Sequence, residues 1–239
     1  MSTAIAYSLV GPPGSGKTTQ AARLVTALSE VWGTPALCVS VPALLLGDPA
    51  VHARLTSRER TRVAQVREAA HARAHRGELM PTELDRVLME LTERVAGSEP
   101  IVLDSVPRGP EQARLLLTSG LPVKRLAVFH LRTPGDDPLG FSLRRQLSRA
   151  ARTDRSRPSA RDLTRMKRKA DVYVEQTLPA LAEIARAGAR VADFDAGAPA
   201  DRVAREIRGH LTGGGTLRPA RATGATGAGP ARQGGKPCV

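Results

Sequence analysis

Short apolar runs alternate with amphipathic segments along this chain. Ile5–Val10, Ala36–Val39, Ile101–Leu103, Val123–Leu131 and Ala189–Phe194 are hydrophobic runs of strand length. Between them, stretches near residues 17–31, 56–76, 82–96, 110–118 and 161–187 repeat apolar positions at helical spacing, as Ala21, Ala22, Leu24, Val25 and Leu28 do in the first. A last helix is predicted over residues 200–211. Strands this apolar suit burial on both faces, and strands that alternate with helices are joined by crossovers. The pattern predicts an α/β fold, a three-layer α/β/α sandwich around a five-stranded parallel sheet.

Two stretches break the alternation. Residues 41–96 hold two or three helices between the second and third strands, where one would suffice, and 41–80 is read as a helical insertion on the substrate side. Residues 140–170 form a helical arm with nine arginines, read as a short cationic lid. Residues 212–239 are Gly, Ala, Pro, Thr and Arg with little apolar periodicity, so a disordered basic tail is expected after a single domain spanning 1–211.

The chemistry starts at the end of the first strand. Gly11-Pro12-Pro13-Gly14-Ser15-Gly16-Lys17-Thr18 is a complete G-x-x-x-x-G-K-[ST] phosphate-binding loop in a strand–loop–helix setting. Its glycines let backbone N–H groups point at a polyphosphate, and the following helix offers its positive end to the same charge. A nucleotide is the expected ligand, held by Pro13, Gly14, Ser15, Gly16, Lys17, Thr18 and Thr19, with Lys17 on the β/γ-phosphates and the Thr18 hydroxyl on Mg²⁺. Ile101-Val102-Leu103-Asp104 is an apolar strand ending in a carboxylate, which places Asp104 as a second Mg²⁺ ligand, direct or through water.

Arg108 and Gln112 follow, four residues apart, so a helix starting near Pro110 turns both toward one ligand. The Arg fork suits a phosphate dianion, and the Gln amide suits a base edge. One phosphate binder beside one base reader implies a nucleotide acceptor as well as a nucleotide donor.

Charge and composition limit the other classes. The chain carries 36 Lys+Arg against 23 Asp+Glu, a net charge of +13. Aromatics make up only 3%, which argues against base-stacking platforms and leaves the basic balance as weak support for a nucleic-acid partner. Cys38 and Cys238 are too few for a disulfide framework or a Cys-rich zinc site, and the five histidines lack metal spacing. With no apolar run of membrane-span length and no leader pattern, a cytoplasmic protein away from membranes is expected, as a monomer.

Residues 5–211 resemble the adenylate kinase and broader nucleoside monophosphate kinase family. The resemblance rests on three stretches: Gly11 through Lys17-Thr18-Thr19-Gln20, Asp104 to Ala113 (which keeps Asp104, Pro107, Arg108, Gln112 and Ala113 in register), and Gly77-Glu78-Leu79-Met80-Pro81. It implies Mg²⁺-dependent transfer of a phosphoryl group from ATP to a nucleoside monophosphate in nucleotide biosynthesis. It implies an acceptor site at Met80, Ser105, Val106, Arg108 and Gln112, and donor arginines at Arg145 and Arg149. Lid arginines Arg157 and Arg168 are implied to bind the monophosphate and, with Lys17, Arg108 and Arg145, to catalyse. The Arg168-to-Tyr173 spacing is one residue longer than in the family, so Arg161, Lys167 and Lys169 are further candidates for that role. Where the family carries S-T-G-D-x-L-R, this chain reads Ser40-Val41-Pro42-Ala43-Leu44-Leu45-Leu46 and lacks the Arg that clamps the monophosphate; Arg54 is the nearest replacement by sequence. Two other readings follow: a kinase of a hydroxyl-bearing metabolite with Asp104, Asp48 or Glu78 as base, and a non-catalytic nucleotide switch or RNA-associated factor.

Overall fold

The computed structural model describes residues 5–96, 98–152 and 159–211. The chain runs β1 (Ala6–Val10), α1 (Lys17–Trp32), β2 (Leu37–Val39), α2 (Val41–Leu46), α3 (Pro49–His52), α4 (Ser57–Arg76), α5 (Thr82–Val95), β3 (Ile101–Asp104) and α6 (Pro110–Thr118). It continues through β4 (Leu126–Arg132), α7 (Pro138–Arg152), α8 (Ala160–Val172), a π-helical turn (Tyr173–Thr177), α9 (Leu178–Arg186), β5 (Arg190–Asp195) and α10 (Ala200–Leu211).

The five strands form one parallel sheet in the order β2-β3-β1-β4-β5. Every residue of β1 is buried, and two apolar clusters pack on the opposite faces of the sheet. One joins α2, α4, α5, α6 and α9 to alternate strand positions such as Ile101, Leu103 and Val128. The other joins α1 and α10 to Tyr7, Leu9, Phe129 and Phe194. Helices on both faces give the three layers. From β1 the chain crosses to β2 and β3 on one side, then to β4 and β5 on the other. The sheet therefore reverses direction at β1, and open α/β sheets hold ligands at the carboxyl ends of strands at such a point.

Short helices fill the stretch after β2. Ser40 caps α2 by accepting from the Ala43 N–H, and Asp48 caps α3 by accepting from Ala50 and Val51. A Thr56–Glu59 capping box starts α4. Residues 123–125, expected in the fourth strand, form a 3₁₀ turn after Pro122 instead. Among the described residues no helix is long and apolar enough to cross a membrane. The tail at 212–239, with Cys238, and the lid positions Arg155 and Arg157 lie outside the described residues.

Candidate active site

β1 delivers the chain at Val10 into the Gly11–Gly16 loop, and α1 begins at Lys17. Gly14 (φ +81°) and Gly16 (φ +91°) sit in the left-handed region, where a Cβ is disfavoured. A Cβ on Gly14 would also stand 2.7 Å from that of Arg145, so α7 rests directly on the loop. Two bonds fix this contact: the Ser142 hydroxyl donates to the Pro13 carbonyl at 2.8 Å, and Arg145 Nε donates to the Gly14 carbonyl at 3.3 Å. Lys17 Nζ folds back onto the loop and donates to the Gly11 and Pro12 carbonyls at 2.8 and 2.7 Å. Burial first, and the nearby Arg108 second, lower its pKa to about 7 against the pull of Asp104.

Asp104 ends β3 beside β1, its backbone in register with Leu9. Its Oδ2 accepts from Thr18 Oγ1 at 3.0 Å and its Oδ1 from Ser105 Oγ at 2.9 Å. A hydroxyl and a carboxylate thus meet at the head of α1. The chain then makes a sharp turn through Ser105 (φ +65°) and a cis Val106–Pro107 bond. The Ser8 hydroxyl donates to the Val106 carbonyl and ties the turn to the sheet.

The turn aims Arg108. Its backbone N–H donates to Gln112 Oε1 at 2.6 Å, its carbonyl accepts from Thr177 Oγ1 at 2.7 Å, and its Nε donates to the Ser105 carbonyl at 3.1 Å. Backbone and root of the side chain are held, while the two terminal guanidinium nitrogens bond no acceptor among the described residues. Burial lowers the Arg108 pKa, with Asp104 and Asp85 opposing.

These groups surround a cavity of about 440 Å³. Gly11, Pro13, Lys17 and Thr18 form one side; Ser105, Pro107 and Arg108 form the floor. Val41, Pro42, Leu45 and Leu46 of α2, with Leu79 and Met80 before α5, make an apolar wall. His71 and Glu78 add polar groups, and Lys169, Val172, Tyr173 and Thr177 close the side toward α8. The Glu78 carboxylate is bound to Arg76, whose hydrogen bond holds its pKa down.

Several positions differ from their sequence reading. Gln112 does not line this cavity: it is buried at 6% exposure, and its amide is used on the Arg108 N–H and on Asp85 Oδ1, at 2.6 Å each. It braces the turn that carries Arg108. Val106 is buried with its carbonyl taken by Ser8, so it offers the cavity nothing. Arg168 and Lys169 are both exposed, but Arg168 is off the cavity wall with Glu78 in its field, and the α8 cation on the cavity is Lys169, its pKa lowered by partial desolvation and by Arg165 and Arg108. The π-helical turn at 173–177 takes up one extra residue between α8 and α9 and so turns α8 relative to α9. Arg54 is bound bidentately to Glu99 at 2.6 and 2.8 Å and does not replace the missing clamp. Asp48 is committed to capping α3. Arg149 and Thr19 are exposed and do not line this cavity, and Arg145, bonded to the Gly14 carbonyl, does not line it either.

Two groups escaped the sequence reading. One is a chain of bonds behind the cavity: His130 Nδ1 meets Asp193 Oδ1 at 2.9 Å, and His130 Nε2 meets the Tyr173 hydroxyl at 2.8 Å. The other is Asp85, buried on the first turn of α5 with its pKa raised to about 6, chiefly by desolvation. An acid whose folded pKa exceeds its unfolded value binds the proton more tightly when folded, so ionising it costs stability once the pH passes from about 4 through about 6. Asp85→Asn keeps an acceptor for the Gln112 amide and removes the buried charge. Thermal melts are expected to show the variant more stable than the parent by several degrees at pH 8, with the gap closing toward pH 4. An unchanged gap across that range contradicts the assignment.

No protein-family model matches the chain, and no curated protein matches it. Among solved structures it is similar to a shikimate kinase from Acinetobacter baumannii in complex with shikimate, with 18% identity over 88% of this chain and 94% of that one and a TM-score of 0.49.

Proposed function

We propose that this chain is a Mg²⁺·ATP-dependent phosphotransferase whose acceptor is the phosphate of a nucleoside monophosphate. One observation carries the reading: the unpaired guanidinium end of Arg108 meets the same cavity as Lys17 and Lys169, beside the Gly11–Thr18 loop. Two polyanions repel, and a cavity that gathers three cations is what brings them together. The loop N–H groups and Lys17 would hold the ATP phosphates, and Arg108 the acceptor phosphate, in line with the γ-phosphorus. An acceptor oxygen forms the new P–O bond as the β–γ bridge breaks, leaving ADP and a nucleoside diphosphate. The Thr18 hydroxyl and Asp104 carboxylate, 3.0 Å apart at the head of α1, are hard oxygen donors that fit Mg²⁺. The ion, when bound with ATP, neutralises charge on the phosphate oxygens. Lys169 and the Val172–Tyr173 side would cover the phosphates and exclude water.

The choice of a phosphate over a hydroxyl acceptor follows from the bases on hand. A hydroxyl needs a general base, whereas a phosphate oxygen is already nucleophilic. Among the described residues that line the cavity Glu78 is the one carboxylate, and its pairing with Arg76 makes it a poor base; Asp104 is engaged by the Thr18 and Ser105 hydroxyls, and Asp85, off this cavity, by the Gln112 amide. A specific observation favours the second reading, a kinase of a small hydroxyl-bearing metabolite: α2 presents Val41, Pro42, Leu45 and Leu46 and no cation to the acceptor side. ADP release across AMP, CMP, UMP, dTMP, GMP and a panel of hydroxyl-bearing metabolites separates the two. Stimulation by at least one monophosphate is expected. Stimulation by a hydroxyl compound alone overturns the phosphate acceptor.

A further inference from the structure

Beside the main cavity lies a chamber of about 170 Å³ that shares Val41, Leu79, Met80 and Arg108 with it and ends at Asp85 and Gln112. Asp85 is 6% exposed and rigidly held: its Oδ1 accepts from Gln112 Nε2 at 2.6 Å, and Gln112 Oε1 is in turn fixed by the Arg108 N–H. Its Oδ2 has no hydrogen-bond partner among the described residues, and it is not among the buried unpaired atoms sealed from solvent, so it opens into the chamber.

Bracing Gln112 does not account for a carboxylate here. A single oxygen serves that bond, and an asparagine would supply it without a buried charge. What a carboxylate adds is a second, outward-facing acceptor of fixed direction. The shared walls Val41, Leu79 and Met80 are apolar and suit the faces of a heterocycle; Arg108 lines both spaces, and Asp85 lines the chamber alone.

We propose that Asp85 is a specificity-determining residue that reads the far edge of the acceptor base, accepting a hydrogen bond from an exocyclic amino group. This rests on the monophosphate reading of the main cavity, and it selects adenine or cytosine over the oxo-substituted hypoxanthine and uracil. An amino N–H completes the open Oδ2. A ring carbonyl in the same place sets lone pair against lone pair and leaves both acceptors unpaired, the arrangement that polar sites reject most strongly.

Matched acceptors isolate that one group: AMP against IMP, and CMP against UMP, with Mg²⁺·ATP and the full chain. For the wild type, kcat/KM is expected to favour the amino member of at least one pair by about 10²-fold. In Asp85→Asn, the Gln112 N–H must still find an oxygen, so the new amide turns its own NH₂ toward the chamber and presents a donor. The preference is then expected to fall at least about tenfold and to move toward the oxo member, with KM for ATP unchanged. Equal use of both members of each pair by the wild type overturns the role of Asp85 and leaves the monophosphate reading standing. If none of the four is bound, by calorimetry, or phosphorylated while dTMP or GMP is, this inference falls alone; if no monophosphate of the wider panel is used, the monophosphate reading falls and this inference with it. The wild-type ratios decide the matter even where the variant is lost to misfolding.

Discussion

Arg108→Ala is expected to lower phosphoryl-transfer turnover by about 10³-fold or more, the scale of a transition-state arginine, while ATP affinity changes little. The argument is local. The Arg108 backbone is bonded to Gln112 and Thr177 through atoms an alanine keeps, and the side chain contributes only the Nε bond to the Ser105 carbonyl. The turn therefore survives the substitution and the cavity loses a cation. Steady-state kcat, with nucleotide binding followed by calorimetry, reads the two effects separately. A loss confined to ATP affinity would move Arg108 to the donor side, and unchanged turnover would remove it from the chemistry. Because Arg108 helps hold the Lys17 pKa near 7, its loss should also move the lysine back toward its ordinary value.

Lys17→Met is expected to reduce kcat/KM for ATP by about 10³-fold, since it removes the one loop cation aimed at the transferring phosphate. The lysine also leaves a proton signature. With a pKa of about 7 in the free protein, Lys17 is largely neutral at pH 8, and a bound polyanion favours its charged form. Mg²⁺·ATP binding at pH 8 should therefore take up a sizeable fraction of a proton, seen as a dependence of the binding heat on the buffer's ionisation enthalpy. That uptake should vanish in Lys17→Met. Binding without proton uptake in the wild type would mean that Lys17 is already charged.

Features written in consecutive residues were legible in the sequence. The Gly11–Thr18 loop needs only its own glycines and its setting between an apolar run and a helix, and Asp104 needs only the end of β3. The parallel sheet was legible because β1, β3 and β4 are apolar through most of their length and are covered on both faces. Roles set across the fold were not. Gln112 reads as a base contact until Asp85, 27 residues away, takes its amide. The choice of Lys169 over Arg168 depends on which face of α8 packs toward the cavity, and the π-helical turn after α8 breaks the single helix expected over 161–187. Helices α2 and α3 are six and four residues long, too short for periodicity, and only their capping residues Ser40 and Asp48 announce them. His130 reads as an ordinary strand residue because its partners come from β5 and from the turn before α9.

The destination of the γ-phosphoryl group tests the central claim most directly. The 239-residue chain is incubated with Mg²⁺ and ATP labelled at the γ-phosphate, together with the monophosphate panel, and the products are separated. Label on the β-phosphate of a nucleoside diphosphate, lost in Arg108→Ala, is the result predicted by a cavity that sets two phosphates in line between Lys17 and Arg108. Label recovered only as inorganic phosphate, at a rate indifferent to every acceptor, would contradict it.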